Sequence, residues 1–185
     1  RVEVQRLAIP QSVVVFGHGG IGRRDPDYYA AHVANYILGG GGFSSRLLEE
    51  VREKRGLAYS TYSYLLELDA SPLFLGGVAT NNEQVAQSLA IIRGELARMA
   101  GGDLTETDLA DAKTYLTGSF PLRLTSNEQV AKMLVGMLVH QLGRDFLERR
   151  NGLIEAVTLD DLKRVSARLF SGELLVSVVG DPAGM

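Results

Sequence analysis

The spacing of apolar residues changes from strand-like to helical and back along this chain, and that switch limits the fold more than any other feature. At the start Val2, Val4, then Leu7 to Ile9 and Val13-Val14-Val15-Phe16 predict two short strands interrupted near Pro10. Asp25-Pro26 is a helix start, an Asp cap with Pro at the first helical position. The helix is predicted to run to about Leu38, with Tyr29, Val33, Tyr36 and Ile37 on its buried face, before Gly39 to Gly42 end it. A second helix is predicted from about Ser44 to Arg55, with Leu47, Leu48 and Val51 as its apolar stripe. Arg46/Glu50 and Glu50/Lys54 would pair on its wet side, and Gly56 would cap its end.

From Ala58 to Leu68 the chain returns to strand chemistry. Asp69 to Pro72 is a turn, and Leu73 to Thr80 completes a hairpin. Helices then dominate: Asn82 to Ala100, a capping box from Thr105 to Asp108 opening a helix that stops before Pro121, and Ser126 with Gln129 opening another to about Leu142. One or two shorter helices cover Asp145 to Leu169, with Thr158 as a cap between them, and Glu173 to Gly180 is a closing strand. The order β-β-α-α-β-β-α-α-α-α-α-β predicts one α+β domain over residues 1–185, a two-layer arrangement of sheet and helices.

A chain of 185 residues suffices to bury a core of its own. Its net charge of -3 offers no bulk attraction to phosphate backbones or anionic lipid, so nucleic acid is not expected as a partner. There is no cysteine, which excludes disulfides, thiolate metal sites and a cysteine nucleophile. No apolar run approaches the ~20 residues that span a bilayer, so no membrane insertion is expected. The chain opens on Arg1 rather than Met, and the expectation is that it starts inside a longer polypeptide.

Three patterns that could carry chemistry fail on context. His18, His32 and His140 lie far apart, and positions 28 and 36, four residues either side of His32, are tyrosines; a helical zinc site needs two His on one face with a carboxylate between. No metal site is expected from this chain. His18 is read instead as part of a glycine turn, His32 as a helix residue, and His140 as lying near a helix C-terminus. Gly17-x-Gly19-x-x-Gly22 matches a dinucleotide fingerprint, but Arg23 to Pro26 separate the glycines from the helix start. A flexible turn is the expectation there. Gly39 to Gly42 lack the Lys-Ser or Lys-Thr of a phosphate loop. One glycine would stop a helix; four imply that the backbone approaches something closely or that the loop moves.

Arg52 falls about one turn before its helix ends, and Tyr59 follows the Gly56 break. Alternation places Tyr59 with Thr61 and Ser63, and Tyr62, Tyr64 and Leu66 on the apolar face, with Tyr62 and Tyr64 expected in the core. A cation and a phenol at one helix–strand junction can both donate to a carbonyl or an oxyanion. Spacing alone favours a plainer reading, in which Arg52 pairs with Glu49 on a wet surface and Tyr59 is a half-exposed strand residue.

Leu38-Gly-Gly-Gly-Gly-Phe-Ser-Ser-Arg-Leu47, followed by Val51-Arg-Glu-Lys-Arg-Gly-Leu-Ala-Tyr-Ser60, resembles the signature of the second domain of pitrilysin-family peptidases, the inverzincins. The Ile9-Pro-Gln-Ser entry, the Asp25-Pro-Asp-Tyr-Tyr helix start and the closing Val178-Val-Gly-Asp181 also fall where that domain would have them, so the resemblance covers nearly the whole chain. It implies a mainly antiparallel sheet with helices on one face, and the non-zinc-binding, C-terminal-type half of a clamshell. In such enzymes the other half carries zinc on an inverted H-x-x-E-H motif, while this half contributes an Arg and a Tyr seven residues apart, matched here by Arg52 and Tyr59. The glycine-rich segment, Gly39, Gly40, Gly41 and Gly42, is implied to handle substrate, although it is shorter here than in the mitochondrial members.

What the resemblance implies is the substrate-binding and transition-state-stabilising half of a zinc metalloendopeptidase. The substrate would be a peptide or unfolded protein. Zinc would come from a homologous domain or subunit, in a homo- or heterodimer if it is a separate chain. A non-catalytic structural or interaction subunit of the same fold is the alternative. Bacterial members are often exported to the periplasm, which is the one lean the resemblance offers about compartment.

Overall fold

In a computed structural model the whole chain is described, from Arg1 to Met185. Five strands form one sheet: β1 (Val2–Arg6), β2 (Gln11–Gly19), β3 (Ala58–Leu66), β4 (Leu73–Asn81) and β5 (Leu175–Gly180). Their order is β1-β5-β2-β4-β3, and only the β1–β5 pair is parallel. The closing strand is thus inserted between the two opening strands, which brings both ends of the chain together at one edge of the sheet.

Alternation divides the sheet into two faces. Ser12, Val14 and Phe16 of β2 and Val176 and Val178 of β5 point inward, whereas Val13, Val15, Leu175 and Val179 are exposed. The helices cover the inward face: α1 (Tyr28–Asn35), α2 (Arg46–Leu48), α3 (Val85–Ala100), α4 (Glu106–Gly118), α5 (Asn127–Val139), α6 (Phe146–Glu155) and α7 (Leu159–Phe170). One apolar cluster joins Val14, Phe16, Phe74 and Val178 of the sheet to Val33, Leu38, Ile92, Met99, Leu162 and Val165 of the helices. The expected fold class, element order and one-sided helical layer are all present.

Local signals located the caps. Thr105 with Asp108, and Thr158 with Asp161, form complete capping boxes, and Ser126 accepts from the Gln129 amide. The first helix departs in part from expectation: it begins at Tyr28, and Asp27 makes no capping bond, while the Asp25 carboxylate accepts from the Asp27 N–H at 2.9 Å in the turn that precedes it. Arg168 of α7 donates to both carboxylates, and Arg164 of α7 donates to Asp27. Those guanidiniums hold Asp25 (Arg168) and Asp27 (Arg164, then Arg168) below the usual carboxylate range. The predicted second helix is also not continuous. A 3₁₀ turn at Gly42–Ser44 leads into α2, which widens at once into a π turn at Glu49–Glu53, and α1 likewise ends in a π turn at Tyr36–Gly40.

Candidate functional site

Two adjacent backbone devices bring Arg52 and Tyr59 together. Gly56 adopts a φ of 61°, and its N–H donates to the Arg52 carbonyl at 2.8 Å while the Leu57 N–H donates to the Val51 carbonyl at 2.9 Å. This is a Schellman closure, which ends the helical turn and reverses the chain. Leu57 re-enters the apolar cluster that holds Val51. The second device is a β-bulge. Ala58 lies opposite Thr80 and Ser60 opposite Ala79, so Tyr59 is the extra residue with no partner across the ladder. Its side chain is pushed outward and is 82% exposed.

The Arg52 guanidinium carbon sits 4.9 Å from the Tyr59 ring centroid and 4.9 Å from that of Phe43. The cation is therefore held between two exposed aromatic rings by attraction to their π faces. Its carboxylate neighbour is Glu53, at 3.4 Å from Nε, not Glu49, which pairs with Lys54 at 3.0 Å. Apart from Nε, which faces Glu53, the donors of the guanidinium and the Tyr59 hydroxyl make no contact with an acceptor within the protein and stay free for a ligand. Phe43 is a site residue that spacing did not single out. Its signal is present all the same: a large aromatic directly after four glycines.

The glycines resolve into different roles. A Cβ on Gly39 would lie 2.4 Å from Ser63 Oγ and 2.7 Å from the Ser63 amide nitrogen, so the end of α1 can touch β3 only through glycine. Gly40 and Gly41 are hemmed in by Asn35 and by the Tyr36 carbonyl. Gly42 has a φ of 58° in open space and turns the chain toward Phe43. Close approach is thus the reason for Gly39, and backbone handedness the reason for Gly42.

That close approach also reverses the expected faces of β3. Thr61 and Ser63 are buried, whereas Tyr62 and Tyr64 stand on the open face at 49% and 43% exposure. Ser63 Oγ donates to Asn35 Oδ1 at 2.8 Å, and Asn35 Nδ2 donates back to the Ser63 carbonyl at 3.3 Å. The helix end lies too near the strand for tyrosine, so a small hydroxyl fills the contact and a hydrogen-bonded pair offsets its burial. The Arg46/Glu50 pair is absent as well: Arg46 reaches Asp103 and Asp108, and Glu50 is taken by Lys54 and Arg55.

No group of three or more His, Cys, Asp or Glu side chains gathers in a way that could hold a metal ion. His18 is not in a turn but in β2, 5.1 Å from the Phe74 ring. His32 stacks on Tyr28, and His140 sits at the end of α5 with Nε2 3.4 Å from Glu67. Gly17 and Gly19 lie inside β2 rather than in a turn at a helix N-terminus. A Cβ on Gly17 would meet the Phe74 carbonyl at 2.4 Å, so strand contact explains that glycine.

Comparison with known proteins places these features in context. The profile of a family described as "Peptidase M16 inactive domain" matches residues 1–116. An uncharacterised zinc protease of Streptomyces coelicolor is 35% identical over 97% of this chain, which spans 39% of that relative. A protein of Helicobacter pylori described as a non-peptidase homologue is 33% identical over 58% of the chain and 24% of its own length. The crystal structure of a peptidase M16 inactive domain from Pseudomonas fluorescens superposes with a TM-score of 0.87 at 30% identity, covering 98% of this chain and 43% of that one. The chain therefore spans about two fifths of the length of such relatives.

Proposed function

Because this chain belongs to the peptidase M16 inactive-domain family, we propose that it is the substrate-binding and transition-state-stabilising half of a zinc metalloendopeptidase. Residues 1–185 would form one C-terminal-type domain of a clamshell, completed by a homologous zinc-binding domain or subunit. The observation that carries this is the pairing of Arg52 with Tyr59 on an exposed surface, with the Tyr59 hydroxyl and the two Nη groups of Arg52 uncommitted. The residues of this chain do not fit a zinc site, so the bond-breaking step is not assigned to them.

Their own part is to bind and to stabilise charge. The Tyr59 hydroxyl donates to the oxygen of a substrate carbonyl as negative charge develops there. Arg52 donates to the same oxygen or to a neighbouring peptide carbonyl, held in place by the rings of Phe43 and Tyr59 and by the Schellman closure behind it. Gly39 to Gly42 act at the substrate by positioning Phe43, whose exposed ring offers an extended or unfolded peptide an apolar contact.

The test is steady-state kinetics of Tyr59→Phe in the complete assembly. Losing one donor to a developing oxyanion typically costs roughly 10²–10³ in rate. We expect kcat to fall by that order with KM little changed; a wild-type kcat contradicts the assignment. A second reading, a non-catalytic structural or interaction subunit, is favoured by the Helicobacter relative described as a non-peptidase. Peptide hydrolysis by the complete, zinc-supplied assembly argues against that reading, and its absence argues for it.

A further inference from the structure

At the end of β3 remote from Tyr59, the hairpin, α1, α5, α6 and the 3₁₀ segment Phe120–Leu124 line an open cavity of about 260 Å³ whose walls carry a surplus of positive charge. Its one carboxylate, Glu67, is already committed. Glu67 accepts from the Tyr28 hydroxyl, and its other oxygen lies 3.6 Å from Arg23 Nε and 3.4 Å from His140 Nε2. Arg23 is spent in the same way, stacked 4.0 Å above the Tyr28 ring.

Arg150 stacks in its turn 4.1 Å from the centre of the Phe120 ring, but it has no carboxylate partner. The residue is only 7% exposed, and both its hydrogen bonds pass through Nη1 to neutral oxygens, the Leu116 carbonyl at 3.1 Å and Asn151 Oδ1 at 2.9 Å. Nε and Nη2, the edge that grips a carboxylate in a two-pronged bond, make none. Arg123 lines the same cavity without an ion pair, and His32 lines it beside Tyr28. A buried guanidinium left without an anion is costly, and the usual remedy is a counter-charge brought close. Burial, followed by the field of Arg150, Arg123 and Arg23, pushes the His32 imidazole down to about 4, so the neighbourhood already repels a further cation. Met133, Met137 and Phe146 supply apolar wall beside the charge.

We infer that this cavity binds a carboxylate carried on an apolar body, with the anion at Arg150 and Arg123 and the body against Met137 and Phe146. The inference is independent of the role proposed for Arg52 and Tyr59, and stands or falls separately from it. A cavity of this size admits the end of a chain rather than a whole peptide. The carboxylate can belong to a free organic acid or to the last residue of a peptide.

Titration calorimetry of the intact protein with 3-phenylpropionate, its neutral amide and inorganic phosphate tests the site. The acid should bind about tenfold or more tightly than the amide, and more tightly than phosphate. Arg150→Gln and the exposed Arg123→Glu should each weaken the acid by about tenfold or more. Arg123→Glu carries the test alone if Arg150→Gln does not fold. Equal binding of acid and amide, phosphate binding as tightly as the acid, or variants that bind like the wild type would overturn the proposal. A peptide ending in free Phe, compared with its C-terminal amide, separates the sources. Selective binding of the free-ended peptide assigns the site to peptide ends, and binding of the small acid alone assigns it to free acids.

Discussion

Gly39 is a glycine because the place of its missing side chain is already filled by Ser63. Gly39→Ala must push α1 away from β3, and overpacking of this kind costs about 1–3 kcal/mol. Urea unfolding measures it directly, and a neutral substitution would mean that the helix end does not touch the strand. His32 supplies a second test at this scale. Its imidazole is held at about 4 in the folded chain against 6.5 as its ordinary value. Between those values the unfolded chain binds a proton that the folded one does not, so stability must fall as pH drops from about 6.5 toward 4, by up to about 3 kcal/mol. The ion-paired carboxylates Asp25 and Asp27, whose affinity for protons is lowered, lose their contribution only at still lower pH. His32→Gln should flatten the slope between pH 6.5 and 4; an unchanged slope would place its origin elsewhere. Arg52 and Tyr59 were legible in the sequence as a cation and a phenol at one junction. Phe43 was not, because its contact with Arg52 depends on the direction in which Gly42 turns the chain, and spacing does not encode direction.

Local signals served well for elements and failed at contacts between them. Thr105, Ser126 and Thr158 cap the helices they were expected to cap, since each interaction closes within three residues. The buried face of β3 could not be read the same way. Alternation says only that Tyr62 and Tyr64 lie opposite Thr61 and Ser63, and the approach of α1 through Gly39 decides which set turns inward. Arg46 is similar: its partners Asp103 and Asp108 lie more than fifty residues away, beyond any i,i+4 rule. The Schellman closure is the element on which the site depends. Gly56→Ala places a side chain at a φ of 61°, which costs about 1–2 kcal/mol for residues other than glycine. We expect that loss in thermal or chemical unfolding, together with a fall in kcat/KM beyond any loss of folded protein, because the turn aims Arg52 at Tyr59. Full activity at reduced stability would separate the turn from the site.

At the scale of the whole molecule, the sheet cannot close until its final strand arrives, because β5 lies between β1 and β2. The switch in apolar periodicity signalled a sheet with helices; the strand order came from pairings between the two ends, which no local pattern records. The helices cover one face, and the other presents Val13, Val15, Tyr62 and Tyr64. The chain occupies about two fifths of its relatives' length, so its proposed activity belongs to an assembly. The central claim is that Arg52 and Tyr59 act on substrate as one unit, and a double-mutant cycle on kcat in the zinc-supplied assembly tests it most directly. The geometry predicts that Arg52→Gln with Tyr59→Phe loses little more than the worse single variant, because each change disables the same donor pair. Single losses that multiply in the double variant, or a wild-type kcat for Tyr59→Phe, would contradict it.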